Sequence, residues 1–116
     1  MSNRVLIIGD LHCPVDHPGY LTFCQDIYDQ WDCNQAIFIG DVVDHQAISF
    51  HANNPNCPGP DDEYTLAKQS MNRWYQAFPE AKVCIGNHDE RVIRLAESVN
   101  IPSRYLRDYK EIWKTP

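Results

Sequence analysis

Three times along the chain a short apolar run ends at a glycine and gives way at once to polar residues. The first run, Arg4-Val5-Leu6-Ile7-Ile8-Gly9, is continuous and partly β-branched. It reads as a strand buried on both faces, as in parallel sheets. Ala36-Ile37-Phe38-Ile39-Gly40 and Lys82-Val83-Cys84-Ile85-Gly86 are the second and third. Between them apolar residues recur at helical spacing. Tyr20, Cys24, Ile27, Tyr28 and Trp31 predict a helix over about 19–31. Ala67, Met71, Trp74, Tyr75 and Phe78 form one face of a helix over about 62–78, with Asp61 or Asp62 as its cap. A last helix is predicted from near Asp89, with Val92, Ile93, Leu95, Ala96 and Val99 inside. Residues 52–60 are a loop by their proline and asparagine content. The order β-α-β-α-β-α makes this an α/β fold whose strands run parallel, joined by right-handed crossovers.

Composition narrows the class. A chain of 116 residues fits one compact domain, and 43% hydrophobic with 22% charged residues is enough for a packed core. The formal net charge of -6 argues against broad nucleic-acid binding, although two divalent ions would offset much of it locally. The five cysteines show no CxxC spacing, so neither a disulfide framework nor a zinc ribbon is expected. Cys24, Cys33 and Cys84 lie in or beside apolar runs and read as small core residues. The first apolar run is too short for a signal peptide or a membrane span, and a cytoplasmic location is expected.

The chemistry lies where the strands stop. The endings read Gly9-Asp10-Leu11-His12, Gly40-Asp41-Val42-Val43-Asp44 and Gly86-Asn87-His88-Asp89. Ligands of parallel α/β sheets bind at the carboxyl ends of the strands, so the three clusters converge. Aspartate, an asparagine carbonyl and imidazole are the mixed donors that Mn²⁺, Fe²⁺, Ni²⁺ or Zn²⁺ accept. Asp10 and His12 are two apart and share a side if their segment is extended. Carboxylates brought together repel one another, and a cation removes that cost. A lone Gly-Asp is a turn and a lone Asn-His-Asp a helix start. Three such endings on successive strands point to metal.

With these residues in view, the chain resembles the calcineurin-like metallophosphoesterase superfamily. That family's blocks D-x-H, G-D-x-x-D and G-N-H-[DE] stand here, in order, as Asp10-Leu11-His12, Gly40 to Asp44 and Gly86 to Asp89. The resemblance spans about residues 4–95. It implies a parallel β-α-β-α-β core like half of a metallophosphoesterase β-sandwich, with flanking helices. It also implies two divalent metal ions, Mn²⁺ first among the candidates. Asp10 and His12 would hold the first ion, Asp41 would bridge both, and Asn87 would hold the second and touch the phosphate. His88 would stabilise or protonate the leaving group, oriented by Asp89 or Asp44. A metal-bound hydroxide would attack a phosphomonoester or phosphodiester, with nucleotides or nucleic-acid ends among the substrates.

The family pattern continues with a further histidine and a Gly-His-x-His block, whereas no histidine follows His88 here. The chain is therefore read as a single, partial metallophosphoesterase domain. It is a fragment, one half of a split protein that needs a complementary C-terminal subunit, or a homo-oligomer that recruits other ligands. A competing function is a non-catalytic metal-binding module. A metal-free nucleotide-binding domain is disfavoured, since no phosphate loop is present. Among the leftover residues, His45 and His51 are candidates for touching metal or substrate, and His17 for capping the first helix. Arg91 and Arg94 either neutralise substrate phosphate or pair with Asp89, Glu90 or Glu97. A three-strand sheet leaves an open edge and an uncovered apolar face, so the isolated chain is expected to dimerise or aggregate. A clean monomer on gel filtration at high concentration contradicts that expectation.

Overall fold

A computed structural model describes residues 2–49 and 54–116. His51 and the start of the 52–60 loop lie outside the described residues. The strands are β1 (Val5–Ile8), β2 (Gln35–Phe38) and β3 (Lys82–Val83), all parallel in one sheet of order β1-β2-β3. Helix α1 (Tyr20–Gln30) joins β1 to β2, and α2 (Pro60–Ala77) lies between β2 and β3. Beyond the sheet come α3 (Arg91–Ser98) and α4 (Tyr109–Trp113). Among the described residues no helix is long and apolar enough to cross a membrane.

The strands are not buried on both faces. Ile8 and Phe38 are paired in register and fully buried, while Ile7 is 61% exposed and Ile39 53%. The topology accounts for this. Two right-handed crossovers stepping the same way, β1 to β2 to β3, place both helices on one side of the sheet. Among the described residues no layer covers the apolar residues of the other side, in line with the expected open face. Cys84 sits just past the short β3 and is exposed rather than in the core, and Cys33 is half-buried.

The covered side is aromatic. Phe38 meets Trp74, Tyr75 and Phe78 edge-on, with ring centroids 6.1, 5.5 and 6.3 Å away. Tyr20 of α1 packs on Trp74, and Tyr28 on Phe78. Edge-to-face contacts add to the area burial of such rings. The predicted inner face of α2 is all buried, and Cys24 is the buried residue of α1. Trp31 caps the C-terminal end of α1 and is exposed. Gly59 caps α2 with Pro60 in its first turn, so Asp61 and Asp62 fall inside that turn, where their charge suits the helix dipole. In α3 only Ala96 is buried, because this short helix touches the rest of the fold along one narrow side; Ile93 and Leu95 are exposed, as is Val99 at its end.

Phe38→Ala should cost about 3–5 kcal/mol in urea denaturation, the usual loss for a buried aromatic side chain. Ile39→Ser, one residue on but on the open face, should cost under about 1 kcal/mol. Equal losses would mean that something covers the open face in solution.

Candidate metal centre

The loops leaving β1 and β2 run side by side. His12 N–H donates to Asp41 O at 2.9 Å, Cys13 N–H to Val42 O at 2.8 Å and Asp44 N–H to Cys13 O at 2.9 Å. An isolated parallel bridge joins Cys13 to Val43. Leu11, Cys13, Val42 and Val43 are buried, which turns the residues between and beside them, His12, Asp41 and Asp44, to the same rim. Burial also pushes the Cys13 thiol up to about 12, so it stays protonated as a packing group.

The first loop is not extended. Asp10 and His12 both sit at left-handed φ, 51° and 53°, as do Asp41 at 53° and His45 at 51°. Such angles are uncommon for residues other than glycine and gather at functional sites. Asp10 Oδ1 still comes within 3.9 Å of His12 Nε2, through a curled backbone rather than strand alternation.

His12, Asp41 and His88 offer ligand atoms that all lie within 4.8 Å of one another. The two imidazoles meet edge to face with centroids 4.4 Å apart. Asp44 sets both rings. Its carboxylate accepts from His12 Nδ1 at 2.9 Å, and its backbone carbonyl accepts from His88 Nδ1 at 2.9 Å. Each ring therefore carries its proton on Nδ1 and presents a lone pair at Nε2, the form that binds a divalent ion. Asp41 Oδ1 accepts His88 N–H at 2.7 Å. The donor set, a carboxylate and two neutral imidazoles, fits a divalent transition metal. Asp10 lies beside this group, with a side chain 75% exposed. Asn87 is exposed, and its backbone carbonyl accepts from Arg94 at 2.6 Å.

Asp89 sits underneath rather than in the rim. It is 4% exposed and accepts from Gly86 N–H at 2.8 Å, Val43 N–H at 3.1 Å, Val42 N–H at 3.4 Å and the Tyr109 hydroxyl at 3.0 Å. It stands two residues before α3, whose cap is Glu90, so the helix begins near Asp89 as expected. Its carboxylate joins the second and third loops to α4. Gly86 is part of the same junction, since a Cβ there would stand 2.5 Å from Asp41 Oδ1.

Arg91 turns inward instead of pairing with an acid. Its guanidinium donates to Asp44 O at 2.8 Å and His45 O at 3.4 Å, and lies 3.3 Å from His88 Nε2. Two acids hold the surrounding loops, and neither stood out in the sequence as a site residue. Glu63 accepts from Gln46 N–H at 2.9 Å and Ala47 N–H at 3.3 Å. Its signal was an acid four residues before Ala67, on the apolar stripe of α2. Asp16, with a side chain 5% exposed, accepts from Ser70 and from Trp74 Nε1 at 3.1 Å. Nothing in the pattern near Asp16 distinguishes it from a turn residue. His17 lies just before α1 and does not cap it: its Nδ1 accepts Gly19 N–H at 3.0 Å, and Gly19 is the cap, with no side-chain bond to the helix.

Comparison with known proteins gives one result. The calcineurin-like phosphoesterase family model matches residues 3–116. No curated protein and no solved structure gives a significant match.

His45 makes the fold acid-sensitive. Burial pushes its pKa from the ordinary 6.5 to about 4, outweighing the pull of Asp89 and Asp44. The unfolded chain takes up this proton below pH 6.5 and the folded chain only near pH 4, so stability falls as pH drops through that window. Thermal melts at pH 7 and pH 5 should show a smaller acid loss for His45→Asn than for the natural chain. Equal losses would place the acid sensitivity elsewhere.

Proposed function

The chain belongs to the calcineurin-like phosphoesterase family, and from that premise we propose that it hydrolyses phosphomonoesters or phosphodiesters at a centre holding two divalent ions, Mn²⁺ by preference. The observation that supports this best is the convergence of His12, Asp41 and His88 within 4.8 Å, with both imidazoles presenting Nε2.

In this reading Asp10, His12 and Asp41 would hold the first ion, and Asp41 with Asn87 would hold the second. The ions, when bound, supply Lewis-acid activation of water and of a phosphoryl oxygen. The remaining work belongs to the chain. In its imidazolium form, with a second proton taken up at Nε2, His88 gives that proton to the leaving oxygen, while the Nδ1 bond to the Asp44 carbonyl keeps the ring from turning. Asp44 fixes His12 through its carboxylate, so one residue orients both imidazoles. Asp89 is a positioning residue, holding the Gly86 and Val42–Val43 backbones in place. Arg91 has no carboxylate partner among the described residues and brings to the rim the cation that a phosphate dianion needs.

The open sheet face favours a second reading, a metal-binding module that gains turnover only with another polypeptide on that face.

One experiment separates the two. The purified chain is assayed on p-nitrophenyl phosphate and its bis-ester with added Mn²⁺, beside Asp41→Asn, and Mn²⁺ binding is measured by calorimetry. We expect Mn²⁺-dependent hydrolysis that falls at least about 100-fold in Asp41→Asn, together with weaker Mn²⁺ binding. Binding without hydrolysis would support the module. Unchanged Mn²⁺ stoichiometry in Asp41→Asn would refute the placement of the metal.

A further inference from the structure

Both ring nitrogens of His88 are engaged by the chain itself. Nδ1 faces the Asp44 carbonyl at 2.9 Å, and a carbonyl oxygen only accepts, so the proton stands on Nδ1. Nε2 then carries a lone pair, and Arg91 Nη2 donates to it at 3.3 Å. The same guanidinium is anchored through Nη1, which donates to Asp44 O at 2.8 Å and to His45 O at 3.4 Å. The three residues form a closed ring of bonds. Asp44 O accepts from both His88 and Arg91, and Arg91 turns back to His88.

The two ends of this hold are unequal. The anchor on Asp44 is short, while the 3.3 Å bond to Nε2 is long for its kind. Among the described residues no carboxylate pairs with Arg91, so each acceptor it meets is neutral. On an oxyanion a guanidinium sets two parallel N–H donors, with full opposite charge across the pair, whereas Nε2 offers it one neutral lone pair. An oxyanion at the rim therefore outcompetes the imidazole for Arg91. Access allows the exchange: the His88 side chain is 23% exposed, and Arg91 is half-buried in the first turn of α3. It needs side-chain rotation only.

The hold matters because Nε2 is the one ring nitrogen left to meet anything else. With Arg91 on it, neither an ion nor a substrate oxygen can use it. We propose that Arg91 is a positioning residue that latches His88, its guanidinium covering Nε2 until an oxyanion at the rim takes the guanidinium and frees the ring. The latch orders events, since the ring becomes available only once the anion is seated. The identity of that oxyanion as a substrate phosphate rests on the phosphoesterase reading; the latch does not.

The test reads the ¹⁵N signals of the His88 ring in the full chain, at about pH 8, where an ordinary imidazole is neutral. Mg²⁺ is added because it is diamagnetic, offsets the carboxylates of the rim and prefers oxygen to imidazole. Sulfate is the probe, a dianion with no proton to give to Nε2. In the natural chain sulfate should move the Nε2 signal downfield, toward that of a lone pair without a donor. Arg91→Lys keeps the charge, but one ammonium cannot span Asp44 and His88 as a fork does. Its Nε2 signal should stand downfield from the start, and sulfate should leave it there. Arg91→Met, with no donor at all, gives the same reading if the lysine variant does not fold, and circular dichroism identifies the folded one. A natural chain whose Nε2 signal matches that of a folded variant has no latch. A natural chain whose signal sulfate does not move has no release by an oxyanion. Either result overturns the proposal. Because no hydrolysis is read, a chain that passes here yet cleaves neither nitrophenyl ester keeps the latch and loses the phosphoesterase reading alone.

Discussion

The candidate centre depends on the buried carboxylate of Asp89. It accepts three backbone N–H groups and a tyrosine hydroxyl, drawing together Gly86, the Val42–Val43 backbone and α4. A buried charge is tolerated only when it is hydrogen-bonded, and charge-assisted bonds contribute about 1.5–3 kcal/mol each. Asp89 meets that condition with residues far apart in sequence, so it joins strand endings that the short β3 cannot align alone. Its effect passes directly to Asp41, whose loop is held by Val42 and Val43 and whose carboxylate accepts the His88 backbone N–H.

A second constraint comes from the backbone. Asp10, His12, Asp41 and His45 all adopt left-handed conformations, which the surroundings must enforce. The enforcing contacts are the ladder between the two loops and the buried Leu11, Cys13, Val42 and Val43. Rigid apolar packing beneath and strained polar residues above are what a site needs if its donors are to converge before an ion arrives. Glu63 and Asp16 extend the same arrangement outward, each tying a loop of the rim to α2.

The one-sided sheet connects fold and assembly. Both crossovers lie on the face where Phe38 meets Trp74, leaving Val5, Ile7 and Ile39 without a facing layer among the described residues. An apolar surface of this kind tends toward association. The metal rim lies at the strand ends rather than on that face, so a layer over the sheet need not block the centre.

The order of elements, the buried stripe of α2 and the three polar endings were legible in the sequence, because local spacing carries them. Apolar period reveals a helix face, and a glycine after an apolar run reveals where a strand stops. The same local signal could not say which face of the sheet would be covered, since an isoleucine in a strand looks alike on either side. Handed crossovers decided that, leaving Ile7 and Cys84 exposed. Nor could spacing show that Asp89 turns under the site, that Asp44 orients both imidazoles, or that Arg91 turns inward to the Asp44 carbonyl. Those roles depend on hydrogen bonds and packing between residues tens of positions apart, with no periodicity to announce them. The sequence determined which chemical groups stand at the ends of the strands, and tertiary structure alone decided which of them meet.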